Sequence, residues 1–250
     1  MKKVKHQIFN ITITMLLALL TFAVLPVNVS NAQQTRERVV LASGTKYATN
    51  LYVIRSGKPG PVVMIVGGVH GNETAGYKAA NIVKNYTIKA GTLLVVPEAN
   101  KLAVEQHRRA ASGGADLNRS FPSKTILARS IYSVVKRYHV DWLMDMHEGY
   151  DYSTNPSSSS VGQSLIYYPV GNTKTIGLSI LSGVNSPITS SYRKFHLLYM
   201  PIGGSLARSS GQYLRVHSFI FETCSKESLS TRVNNQLKAT NILLTKLNMK

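Results

Sequence analysis

His70 and Glu73 stand three residues apart in GGVHGNETAG (67–76), directly after the apolar run PVVMIV (61–66). The run reads as a strand, the paired glycines as a tight turn, and His-Gly-Asn-Glu as the opening of a helix. Positions i and i+3 of one helical turn face the same side, so an imidazole and a carboxylate there can converge on one cation. Alone the pair is a weak signal, because a glutamate at a helix start is favoured by the helix dipole with or without a metal. His147 changes the weight. It closes a second apolar strand, DWLMDMH (141–147), whose end a parallel sheet would bring to the same rim. Two histidines and one glutamate, with a fourth position open to water, form a catalytic zinc set.

A carboxylate follows the apolar run of HSFIFETC (217–224) at Glu222. Burying it without a purpose is expensive, and beside a zinc ion it could act as the general base for an activated water. The competing reading is a salt bridge to one of the many arginines. RRAASGGADLNRSFP (108–122) supplies Arg109, Asn118 and Arg119 beside a glycine-rich loop, a fork of donors suited to a carboxylate. Asp116 in the same stretch could accept from the second ring nitrogen of His70, as metal-bound histidines usually require.

The elements that would position these residues alternate along the chain. Strand-like runs occur at 51–54, 61–66, 92–96, 140–146, 164–168 and 217–221, and several are continuous, as expected for strands buried on both faces. Helical stripes lie between or after them at 74–86, 123–139 and 226–249. The class is therefore α/β, a single domain with a mixed, mostly parallel sheet and helices on both faces. The loops 107–122 and 148–163 follow strands, where open α/β sheets build their sites.

The first 32 residues read differently. Lysines 2, 3 and 5 precede the uncharged apolar stretch Ile11–Leu25, and Ser30-Asn31-Ala32 places small residues at a cleavage site. A secretory signal peptide over 1–32 is expected, leaving a catalytic domain over 33–250 that is secreted or envelope-associated. The lone cysteine, Cys224, forms no internal disulfide. The whole chain carries a net charge of +18; without the three leader lysines, 26 basic residues face 11 acidic ones, a net of +15. That surface suits electrostatic contact with anionic cell-wall polymers. After residue 32 no basic run exceeds two residues and no nucleic-acid motif is present, so nucleic acid is not expected as a partner.

In this order the motifs resemble the zinc carboxypeptidase superfamily, with its carboxypeptidases, murein-peptide amidases and succinylglutamate desuccinylase/aspartoacylase branch. His-x-x-Glu, an Arg, Asp-x-Asn-Arg at 116–119, a second His and a strand-borne Glu all appear, over roughly residues 60–225. YMPIGGS (199–205) adds a Tyr six residues before the Ser of Gly-Gly-Ser. The resemblance implies a sheet of about eight strands and a Zn2+ ion held by His70, Glu73 and His147. It makes Glu222 the general base and proton donor, and Arg109 the oxyanion residue with Arg108 as its competitor. Asn118, Arg119 and Tyr199 would hold the substrate carboxylate, Ser205 would be a further substrate-binding residue, and Leu206 would line the specificity pocket. The implied reaction is hydrolysis of an amide next to a free carboxylate, on a peptide such as a peptidoglycan stem or on an N-acyl amino acid. A non-catalytic basic envelope-binding protein is the remaining alternative.

Overall fold

A computed structural model describes residues 33–250; the expected leader and its cleavage site lie outside the described residues. Eight strands form one sheet: β1 (Thr35–Leu41), β2 (Thr49–Arg55), β3 (Val62–Val66), β4 (Thr92–Val96), β5 (Trp142–Gly149), β6 (Ser164–Tyr167), β7 (His196–Tyr199) and β8 (His217–Cys224). Their order is β1-β2-β4-β3-β5-β8-β6-β7. The central pairs β4/β3, β3/β5 and β5/β8 are parallel, as is β6/β7, while β1/β2, β2/β4 and β8/β6 are antiparallel. The mixed, mostly parallel α/β sheet expected from the sequence is the fold observed.

Six α-helices cover the sheet: α1 (Thr74–Val83), α2 (Lys101–Glu105), α3 (Ile126–Arg137), α4 (Thr173–Asn185), α5 (Leu206–Leu214) and α6 (Leu229–Lys246). The continuous apolar strands explain the two layers. In β3, Val63 and Ile65 pack with Ala79 and Val83 of α1, Ile180 of α4 and Leu243 of α6. The alternate residues Met64 and Val66 pack with Leu127 and Ile131 of α3 and with Leu206 of α5. A strand buried on both faces cannot alternate apolar with polar, which is why PVVMIV is apolar throughout. The helix starts are capped locally: Thr125 accepts from Ala128 N at 3.1 Å before α3, and Ser228 from Thr231 N at 3.1 Å before α6. Lys136 and Arg137 in the last turn of α3 complement its negative end.

Two strands and two longer helices have no counterpart among the sequence expectations. β1 and β7 are the sheet's two edges and are largely exposed, so the charged TRERVVL and the mixed HLLY carry no buried-strand signature. α4 contains Gly177 and Gly183, and α5 is serine-rich, which hides both from a propensity reading. Among the described residues no helix is long and apolar enough to cross a membrane.

Candidate metal centre and active site

The stretch that opened the sequence reading is a turn under tight steric control. Gly68 has φ +67°, a conformation that L side chains rarely adopt. Gly71 is pressed against α2, where an added Cβ would lie 2.0 Å from the carbonyl carbon of Ala103. The turn therefore runs flush against its neighbour, and Gly71 N donates to Arg108 O at 2.9 Å. That fastening fixes His70, and Glu73 follows at the N-cap of α1. His147 and Glu222 come from the sheet itself. They are register partners in the parallel pair β5/β8, side by side on one face, about 4.8 Å apart as neighbouring strands are.

His70, Glu73 and His147 are all buried, and one ligand atom of each lies within 4.8 Å of the others. The imidazoles meet edge to face with ring centroids 4.9 Å apart. His70 Nδ1 is 2.6 Å from Glu73 Oε1, and His147 Nδ1 is 2.8 Å from Glu73 Oε2. Behind them, His70 Nε2 is 3.0 Å from Asp116 Oδ1 and His147 Nε2 is 3.2 Å from Asp145 Oδ2. Each imidazole thus has a carboxylate at both ring nitrogens. A neutral imidazole carries one N–H, so a ring that donates outward turns a lone pair towards Glu73. A cation placed there would take those lone pairs in place of the protons that otherwise bridge the rings and Glu73. Two imidazoles and a carboxylate, each with an outer partner, suit zinc.

Burial would raise Glu73, but His147 and His70 outweigh it and hold the carboxyl well below its ordinary value. Burial would lower His147, whereas Asp145 and Glu73 hold it well above. Glu222 behaves in the opposite sense to Glu73. Burial, helped by the charges of Glu73 and Asp145 and opposed by His147, raises it to about 8.

Asp116 joins the His–Glu–His cluster to the loop. Oδ1 faces His70 and accepts from Asn118 N at 2.8 Å, capping the single 3-10 turn Leu117–Arg119. Oδ2 accepts from Arg109 Nε and Nη2 at 3.2 and 3.0 Å. Burial would raise this carboxyl, but His70 and Arg109 keep it well below its ordinary value. Arg109 Nη1 is 3.6 Å from Glu73 Oε1, so this arginine and not Arg108 reaches the centre. Asn118 is buried and lines the cavity, with its amide oxygen unpartnered. Arg119 is exposed and spends Nη1 on the Asn118 carbonyl at 3.0 Å.

These side chains open on one cavity of about 560 Å³. His70, Glu73, Arg109, Asn118, Arg119, His147 and Glu222 all line it. Three expected residues do not. Tyr199 ends β7, two strands beyond β8 at the sheet edge, where it is 63% exposed and packs edge-on against Tyr167. Ser205 is fully buried as the N-cap of α5, accepting from Arg208 N at 3.1 Å. Leu206 is fully buried in the core beneath α3 and α5, so it cannot form a pocket wall; Ile202, four residues earlier, lines the cavity instead.

Asp145 and Tyr150 join the site without a counterpart among the sequence expectations. Asp145 is fully buried and lies on the same strand face as His147; a charge two residues before the histidine in a buried strand was the available signal. Tyr150 follows β5 at the cavity rim, where its hydroxyl lies 3.2 Å from Ser159 Oγ. Glu148 alternates to the other face, accepting from Ala75 N at 2.6 Å and pairing with Arg232 of α6.

A doubly covered α/β sheet carrying a His–Glu–His cluster at the carboxyl ends of its central strands defines the class. Residues 59–161 match the family model of the succinylglutamate desuccinylase/aspartoacylase catalytic domain. No curated protein sequence matches the chain. Among solved structures it is similar to the cell shape determinant Csd4 of Helicobacter pylori in its apo form, with TM-score 0.70 and 19% identity, covering 86% of this chain and 55% of that one. The mDAP-bound form of Csd4, a D,L-carboxypeptidase, gives 0.66 and 19% over 76% and 52%. A succinylglutamate desuccinylase/aspartoacylase of Rhodobacter sphaeroides gives 0.65 and 18% over 89% and 68%. The chain spans about half the length of the Csd4 chains. The motifs, the family-model match over residues 59–161 and the likeness in fold all point to the zinc carboxypeptidase superfamily as what this chain resembles.

Proposed function

We propose that this chain is an exported zinc-dependent amidohydrolase of carboxypeptidase type, cleaving an amide next to a free carboxylate on peptides, peptidoglycan stems among them. The observation that carries the reading is the convergence in one cavity of a His–Glu–His cluster, the buried carboxylate of Glu222, and the Arg109 and Asn118–Arg119 donors. His70, Glu73 and His147 would hold the metal. Zinc in such a site supplies a Lewis acid and an acidified water. Asn118 and Arg119 bind the substrate's terminal carboxylate, which aligns the neighbouring amide. Arg109, braced by Asp116, places a guanidinium where charge develops on the scissile carbonyl oxygen. Glu222 takes a proton from the attacking water and passes it to the leaving amine.

Export rests on the leader over 1–32, and a wall substrate on the basic surface and the likeness to Csd4, which has been seen with mDAP and with a tripeptide bound. A second reading, an N-acyl-amino-acid deacylase, is favoured by the name of the matching family. Mass spectrometry separates the two. The metal-loaded protein is incubated with muropeptides, ordinary peptides and N-acyl amino acids, with and without a chelator. Chelator-sensitive loss of one C-terminal residue is expected. Release of the acyl group alone would transfer the assignment to the deacylase, and no product with no bound metal would replace both with a binding protein.

A further inference from the structure

We propose that the amino acid on the leaving side of the amide is neutral and aliphatic, selected by Ile166, Ile202 and Ile220. This rests on the amidohydrolase reading and adds the substrate class.

The cavity's charges set the first limit. Of its lining residues, only Arg109 and Arg119 carry fixed positive charge. Arg109 is held by two bonds to Asp116 and lies 3.6 Å from Glu73, so its charge is already opposed. Arg119 keeps most of its donors free. One free guanidinium with the Asn118 amide suits one carboxylate, the terminal one. An aspartyl or glutamyl side chain would bring a second carboxylate for which the lining holds no second free cation. Arg208, the cation nearest in sequence to the Ile202 segment, is engaged outside the cavity, with Nη1 3.5 Å from Pro201 O. Its Nε donates to Gln212 Oε1 at 3.1 Å, its guanidinium lies over the Tyr168 ring at 5.5 Å, and it does not line the cavity.

The wall beside the clamp is apolar. Ile220 lies two residues before Glu222 on the same face of β8, about 7 Å along the strand. It pairs in register with Ile166 of β6, and both are buried. Ile202 is half exposed and is tied to the clamp: Ser205 N and Oγ both donate to its carbonyl, and Phe121 N, two residues after Arg119, donates to Gly204 O at 3.0 Å. The terminal carboxylate and the side chain of one residue are therefore received by adjoining surfaces, one basic and one aliphatic. A lysyl ammonium laid against this wall would rest its charge on an apolar surface, where a charge without a direct partner is costly.

The test is calorimetric titration of the metal-loaded protein with free alanine, valine, leucine, glutamate and lysine, in both enantiomers, with turnover measured in parallel on peptides ending in the same residues. Valine or leucine should bind at least about tenfold tighter than glutamate or lysine. Ile202→Arg, at a half-exposed position that tolerates the change, should shift the preference towards glutamate. Glutamate or lysine binding as tightly as leucine in the unaltered protein, or leucine failing to bind, overturns the proposal. Should the aliphatic order hold in binding while no peptide is hydrolysed, the selective pocket stands and the hydrolase reading falls.

Discussion

Asp116 is the residue through which the site is assembled, because one carboxylate faces His70, braces Arg109 and caps the turn bearing Asn118 and Arg119. Asp116→Asn keeps the shape but weakens all three. It should lower zinc affinity by about 10- to 100-fold, read by chelator competition, and raise KM for carboxylate-bearing substrates in the same protein. Glu222→Gln should retain the metal, measured by elemental analysis, while kcat falls by about 10²- to 10⁴-fold; turnover within a few-fold of the parent would remove Glu222 from proton transfer. His70, Glu73, His147 and Glu222 were legible because each breaks an apolar pattern at the end of a run. Tyr199, Ser205 and Leu206 were read from the spacing around Gly-Gly-Ser, and spacing along a chain does not report whether a strand lies at the centre or the edge of a sheet. Asp145 went unread for the converse reason: inside the apolar run of β5 it looked like an interruption, and only its shared face with His147 gives it a partner.

At the scale of elements, the active-site rim depends on how closely the β3–α1 turn can approach α2. Gly71→Ala would put a methyl 2.0 Å from the Ala103 backbone, a contact that only backbone displacement relieves. The expected cost is about 1–3 kcal/mol, read by denaturant unfolding, and the shift should carry His70 with it and reduce metal affinity as well. The strands buried on both faces, β3, β4, β5 and β8, are visible as apolar runs, that of β5 interrupted by Asp145. β1 and β7 are not, because an edge strand shows water to its outer side and can carry Arg36, Glu37 and Arg38 in succession. Nor is α4, which packs against the sheet with glycines where a helix reading looks for larger residues. Its Gly177 meets Leu165 and Phe219 closely enough that a side chain there would press on both.

Across the whole molecule, Glu227 ties together segments distant in sequence. Its carboxylate accepts from Tyr152 Oη and Arg193 Nε, each at 2.6 Å, joining the loop after β5, the turn before β7 and the segment after β8. Arg193 leads in holding the carboxyl below its ordinary value, against burial and with help from Tyr152. A lowered carboxyl stabilises the fold above its ordinary range and loses that contribution as pH falls through its folded value. Glu227→Gln should therefore cost about 1–2 kcal/mol near pH 7, and its Tm should converge on that of the parent as the buffer is taken below about pH 4; a gap constant with pH would rule out the ionised form. The placement of His147 and Glu222 inside adjacent central strands, rather than on loops, has a thermal consequence. The chemical step is anchored in the part of the molecule that opens last, whereas Arg109, Asn118 and Arg119 sit on a loop that can open locally at lower cost. On warming, KM should climb and the part of kcat that Arg109 supplies should fall well below Tm, while the His147–Glu222 pair keeps its geometry until the sheet itself gives way.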